Sequence, residues 1–425
     1  MNNRILNNYF FVLFSLIPIS IIFGPSISFI NILLIDFSFM CLLIYTKEYK
    51  FLSNKTVKLI LLLCSYLIFN SIVSENFFIG APRNFGFIRF LILFCAFNYF
   101  FYNKNFLKKV LIIWTLTLFI LTIDTYIESF RGTNIFGWGA RFIDGVEQPH
   151  GARVVSFFKD EPIVGGYINA FYLIVVGYFF FLNHKFSTKY RYYILAVSLF
   201  FLWAIILTGE RSNAIKAIFG FLFFYSINSH FKLKEKVISI LLAIILIGSL
   251  INSSDFLKMR YKGQFINPVV TSYQSYINKE NHEKKPINSL YLKLYQSGFN
   301  VFKNYPFFGV GNKNYRLETC IEIKKSNYVC NTHPHQIYFE FLAEHGLIGT
   351  IILLFILFNL VFSKLTKILQ SKNYIQVGCF TFLLSLFLPF LPSGAFFTDY
   401  NLTIFWLNLS LMYSVSEKTN IFSKN

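Results

Sequence analysis

Apolar runs long enough to cross a bilayer recur along almost the whole chain, at 9–23, 27–45, 56–73, 85–102, 110–127, 164–182, 192–207, 213–228, 237–252, 347–362, 374–391 and 396–415. A helix rises 1.5 Å per residue and the hydrocarbon core is about 30 Å thick, so these runs read as about twelve transmembrane helices. Composition agrees: 55% of the residues are apolar and 20% aromatic, far outside the range of a soluble globular chain. The expected fold class is an all-α polytopic membrane protein, with residues 1–425 forming one integral membrane domain. The first run follows Arg4 as a signal peptide would. No small-residue cleavage site comes after it and another run begins within a few residues, so it is kept as the first helix.

Lys and Arg in short loops favour the cytoplasmic side of a membrane. Every second loop here is basic: Lys47, Lys50 and Lys55; Lys104, Lys108 and Lys109; Lys185, Lys189 and Arg191; Lys232, Lys234 and Lys236; Lys364, Lys367 and Lys372. The loops at 24–28 and 391–398 carry no Lys or Arg, and 74–84 carries only Arg83. Both termini are therefore expected in the cytoplasm. The net charge of +19 follows largely from this alternation, so it is a topology signal and no nucleic-acid partner is expected.

Two outer segments are longer than the rest, 128–162 and 253–336. The second is expected to be a long periplasmic loop between helices 9 and 10. Within it Ile287, Leu290, Tyr291, Leu294, Gly298, Val301, Phe302 and Tyr305 follow helical spacing, which predicts an amphipathic helix near 287–304, on the membrane surface or capping the bundle.

Four of the six cysteines, Cys41, Cys64, Cys95 and Cys379, sit in apolar runs and read as small buried hydrophobes. Cys320 and Cys330 fall in the long outer loop, where an oxidising compartment favours a structural disulfide. Closing so short a ring is worth roughly 2.5–3 kcal/mol in the chain-entropy account. The rival, a zinc site joining these thiols to His333 or His335, matches no common ligand spacing and ranks below it. No metal or cofactor is expected.

Charge at membrane depth is expensive and tends to mark function. Only Asp36 falls in mid-run. The others gather at the outer ends: Arg83 and Arg89; Asp124 and Glu128; Arg153, Lys159, Asp160 and Glu161; Glu210, Arg211 and Lys216. A transporter would place such groups near the midplane. Arginines at the outer edge suit an anionic group presented there, and a lipid-linked diphosphate is the natural candidate. For a single arginine, snorkelling or pairing with an acid such as Glu210 weighs as much as ligand contact. Arg211 in "TGERSNAIK" and Arg153 in "GARVVSFFKDEP" stand out because small residues or a tight turn flank them, and Arg153 and Arg260 are the next candidates after Arg211.

The pattern resembles the O-antigen ligase and polymerase superfamily of bacterial inner-membrane glycosyltransferases. Three stretches carry the resemblance: "TGERSNAIKAIFGF", similar to the family's Arg-containing segment; "YPFFGVGNKNYR", similar to its P-x-x-G-x-G turn; and "HPHQIYFEFLAEHGLIG", similar to its histidine element leading into the next helix. Gln336 stands where the family commonly has Asn. The resemblance implies a donor glycan on undecaprenyl diphosphate, transferred at the periplasmic face of the inner membrane to a sugar hydroxyl on lipid A core or a growing glycan. It also implies metal-independent, inverting chemistry, with arginine holding the diphosphate and a loop histidine assisting the acceptor.

Residue by residue, Pro334 suits the first position of a helix. That would place His335 in the first turn, where the positive helix end disfavours imidazolium and leaves a neutral, base-competent ring. His333, just outside, is second choice. Glu344 would orient His335 or Arg211, or make a structural salt bridge. Gly346 and Gly349 would permit a bend or close packing, and Gly309 and Gly311 read better as tight packing than as a phosphate cradle. The leading function is O-antigen ligation, with repeat-unit polymerisation close behind and sharing its donor. A lipid-linked oligosaccharide transporter or a non-catalytic scaffold ranks lower, because neither needs edge arginines together with a histidine-bearing loop.

Overall fold

The computed structural model describes residues 3–182, 187–267, 290–320 and 327–423. The loop 253–336 is thus described in part, and Ile287 lies outside the described residues. Among these residues nine helices are long and apolar enough to cross a membrane. Three further expected spans form shorter helices, Arg211–Ile227, Tyr374–Leu386 and Asp399–Ser414, of 17, 13 and 16 residues. The second stops short of Pro389 and Pro392, which cannot continue a helix. The third starts late because the Thr398 side chain caps it.

The chain divides into two compact units. The first comprises Met1–Asn31, Asn103–Glu283 and Ile368–Leu386. Its central helix, Val164–Leu182, is apolar on all sides and buried along most of its length, as such a helix must be. Gly177 and Gly378 let it meet Tyr374–Leu386 backbone to backbone, since a Cβ on Gly177 would overlap the Tyr374 carbonyl and one on Gly378 that of Leu173. Pro18 lies inside Asn3–Phe23 and has no N–H to give the carbonyl four residues back. That carbonyl, of Phe14, accepts instead from the Trp114 indole at 3.0 Å.

The second unit comprises Ile32–Tyr102, Lys284–Lys367 and Phe387–Asn425. Every residue from Leu402 to Ser414 is buried in it, and Trp406 stacks on Phe90 at 6.1 Å. The helix Leu290–Asn304 buries Leu294, Tyr295, Ser297, Gly298 and Val301 and stacks Tyr295 on Phe339 at 5.4 Å.

Candidate functional site

In the first unit the helix Thr188–Leu207 is joined to Arg211–Ile227 by the turn Thr208, Gly209, Glu210. Gly209 has φ +73°, and a Cβ on it would stand 2.7 Å from the Phe256 ring, so both backbone and space require glycine. Its carbonyl accepts from Arg260 through Nε at 3.1 Å and Nη2 at 3.0 Å. Arg260 belongs to a π-helical segment, Lys258–Ile266, whose Gln264 accepts from Arg260 Nη1 at its side chain and from Arg211 Nη1 at its carbonyl, both at 2.9 Å. Arg153 donates from Nε to the His150 carbonyl at 3.0 Å, and its side chain lies alongside Gly209. Three arginines far apart in sequence thus converge on one turn, all half-buried.

Glu210 organises that turn. Its carboxylate accepts from the Gly165 and Gly166 N–H groups at 2.6 and 3.2 Å, at the start of Val164–Leu182, and from the Asn213 amide at 2.6 Å. No ion pair joins it to Arg211 among the described residues. Burial pushes the Glu210 carboxyl up to about 7, against the pull of its N–H donors and of the Arg153 charge. Asp124 and Glu128 act similarly on the loop that carries Arg153. Glu128 accepts from the N–H groups of Val155 at 2.9 Å and Ser156 at 2.6 Å; Asp124 accepts from Ile135 N–H at 3.0 Å and from the Ser156 hydroxyl at 2.5 Å.

In the second unit the histidine element leads into the helix Ile337–Phe362, which breaks at Gly346 (φ +64°, ψ −171°). The P-x-x-G-x-G turn fills the break. Leu347 N–H donates to the Pro306 carbonyl at 2.8 Å and Ile348 N–H to that of Phe307 at 3.2 Å. In return Val310 and Gly311 N–H donate to the Ala343 and Glu344 carbonyls at 3.0 and 2.9 Å. Backbone groups orphaned by the break therefore find partners, and the turn is a backbone clip. Asn70 braces it, donating to the Glu344 carbonyl at 3.2 Å and accepting from Asn312 N–H at 2.9 Å.

His335 is not in the first turn of this helix. Gln336 is the N-cap, its amide oxygen accepting from Tyr338 N–H at 2.8 Å and Phe339 N–H at 3.0 Å. Capping by Gln336 delays the helix to Ile337, and Pro334 packs at Gly298 instead of starting it. His335 takes a left-handed φ of +58°, strained for a residue with a Cβ, and its carbonyl accepts from Ser393 N–H at 2.9 Å. The His333 and His335 rings lie 4.0 Å apart, and the Ser393 carbonyl faces both. His333 is buried and has both nitrogens engaged, Nε2 with that carbonyl at 3.3 Å and Nδ1 with the Thr332 hydroxyl at 2.9 Å. His335 is half-buried. Burial pushes both imidazoles down, His333 to about 4, with further lowering there from His335 and Arg83. Both rings are neutral at neutral pH, through desolvation rather than a helix dipole.

Glu340 and Glu344 are spent on backbone. Glu340 accepts from Phe396 N–H at 2.9 and 3.0 Å, and Glu344 faces the N–H groups of Lys313 and Tyr315, about 10 Å along the helix from its start. Arg83, on the helix Phe77–Gly86, lies within electrostatic reach of His333, Glu340 and Glu344. In the sequence it stood out only as one of the outer-edge charges, in a loop poor in cations. Cys320 and Cys330 are joined by a disulfide, so neither thiol is available to a metal. Among the described residues no group of three or more His, Cys, Asp or Glu could hold a metal ion.

Residues 195–354 match the family model described as O-antigen ligase. This segment, which runs from ahead of Arg211 to beyond Gly349, supports the resemblance to the O-antigen ligase and polymerase superfamily. With the nine helices able to cross a membrane among the described residues, the match indicates a multi-pass bacterial membrane protein, and the family suggests a role in O-antigen or polysaccharide ligation or polymerisation. No curated protein matches the chain significantly.

Proposed function

We propose that the protein transfers a glycan from undecaprenyl diphosphate to an acceptor sugar hydroxyl at the periplasmic face of the inner membrane, in O-antigen ligation to lipid A core. The observation that carries this reading is the convergence of Arg153, Arg211 and Arg260 on the Gly209 turn. A guanidinium has five N–H donors, and Arg211 spends one on Gln264, so donors remain for the diphosphate oxygens. In this reading all twelve apolar segments cross the membrane, both termini are cytoplasmic, and the loop 253–336 is periplasmic.

His335 acts as the general base, its neutral ring taking the acceptor hydroxyl proton while that oxygen bonds to the anomeric carbon. The bond from that carbon to the diphosphate oxygen breaks, the electron pair leaves with undecaprenyl diphosphate, and the anomeric configuration inverts. No metal takes part. The arginines stabilise the charge that grows on the leaving diphosphate. His333, with both nitrogens engaged, holds its neighbour's ring in place. Glu344 supports the site by fixing the turn at 313–315.

The lipopolysaccharide of a deletion strain tests the reading. Bare core with accumulated lipid-linked polymer is expected. Core carrying a single repeat would instead identify the polymerase reaction, and an unaltered profile would refute both.

A further inference from the structure

The helix Lys104–Arg131 ends at Gly132, and ten residues later the loop forms a small antiparallel hairpin pairing Phe142 with Glu147 and Ile143 with Val146. Asp144 at φ +50° and Gly145 at φ +80° make its two-residue turn. The base of the loop is well held: Asn134 accepts from Phe136 and Trp138 N–H at 2.9 and 2.8 Å and donates to the Ser156 carbonyl at 3.0 Å. One face of the hairpin is closed by Arg141, which bonds Glu147 at 2.9 Å and lies over the Phe142 ring. On the other face the cross-strand pair Ile143 and Val146 is 53% and 65% exposed.

A lone two-stranded hairpin is marginal in water. Nearer the end of the preceding helix, Phe130, Ile135 and Phe136 are also each more than half exposed. Exposed apolar surface on this scale marks an interaction site. Its closeness along the chain to the span decides the occupant, because Phe130 lies in the last turn of a helix long and apolar enough to cross a membrane and Ile135 and Phe136 follow within six residues. Asp144 at the tip excludes insertion end-on.

We propose that the hairpin 142–147 lies flat on the bilayer where this helix emerges, with Ile143 and Val146 in the acyl-chain boundary and Asp144, Arg141 and Glu147 at the water level. Interfacial segments of this kind bury their apolar face about 5–10 Å deep. The same loop continues to His150 and Arg153, so the anchor sets the depth of one arginine of the Gly209 cluster. The proposal does not depend on the glycan-transfer reading.

The test uses the full chain with Cys41→Ser, which removes the exposed free thiol, in nanodiscs of phosphatidylethanolamine and phosphatidylglycerol. A nitroxide is placed in turn at Ile143→Cys, Asp144→Cys and Val146→Cys, and its accessibility to oxygen and to a water-soluble nickel chelate is compared. Labels at 143 and 146 should favour oxygen, at a depth of about 5–10 Å, and the label at 144 should favour nickel. Equal, water-like nickel accessibility at all three positions would overturn the proposal. So would shielding of 143 and 146 that appears only when a soluble oligosaccharide is added, which would assign the surface to glycan.

Discussion

Gly346→Ala should destabilise the second unit because the break it permits has no substitute. At φ +64° and ψ −171° the backbone occupies a region essentially confined to glycine, where another residue costs about 1–3 kcal/mol. A Cβ there would also overlap the Phe307 carbonyl, which is fixed backbone, and overpacking costs a further 1–3 kcal/mol or so. The alternative is to open the clip and lose the four hydrogen bonds that Pro306, Phe307, Val310 and Gly311 make across the break, each worth about 0.5–1.5 kcal/mol net. Either route costs about 2–6 kcal/mol. Gly248→Ala is the control: it lies in a regular helix with open space at its Cβ, where alanine is favoured by about 1 kcal/mol. Unfolding in mild detergent can be followed by maleimide labelling of the buried Cys64 and Cys95, in the unit of Gly346, and of the buried Cys379, in the unit of Gly248. A Gly346→Ala protein within about 1 kcal/mol of wild type would refute the reasoning.

Three further outcomes are expected. Arg211→Lys keeps the charge but loses the planar fork, so both Arg211→Lys and Arg211→Ala should weaken binding of lipid-linked donor to the purified protein, and normal binding by Arg211→Ala would place the diphosphate elsewhere. The folded-state pKa of Glu210, about 7, exceeds its ordinary value of 4.5, so its stabilising effect is full below about 4.5 and lost as pH rises through about 7. Wild type should therefore lose stability relative to Glu210→Gln between about pH 4.5 and 7, by at most about 1.4 kcal/mol per pH unit, and parallel curves would contradict the raised value. Mass spectrometry of unreduced, alkylated peptides should find Cys320 and Cys330 linked; two alkylated thiols would count against the bond.

The apolar runs announced most of the helices, because span length and hydropathy are local properties. The arginine cluster was legible only as separate outer-edge cations. Its convergence depends on the positive φ of Gly209 and on the π-helical turn that aims Arg260, and neither leaves a periodic signal. The break at Gly346 was hidden because apolar residues continue across it, and partners for the orphaned backbone come from residues 306–311. A neutral ring was expected of His335 from the helix dipole, but Gln336 takes the cap and His335 is left outside the helix, so the lowering there comes from burial. Arg83 stood in the sequence only as one more outer-edge charge, because its acidic and histidine neighbours are brought to it by folding, from more than two hundred residues along the chain.

The division of labour between the arginine cluster and His335 is tested most directly by His335→Ala in nanodiscs with lipid-linked glycan and acceptor, donor binding and turnover being measured separately. Donor binding should be unchanged while transfer slows by roughly 10²–10⁴-fold, the range a lost general base produces. Transfer at the wild-type rate would contradict the assignment of the base.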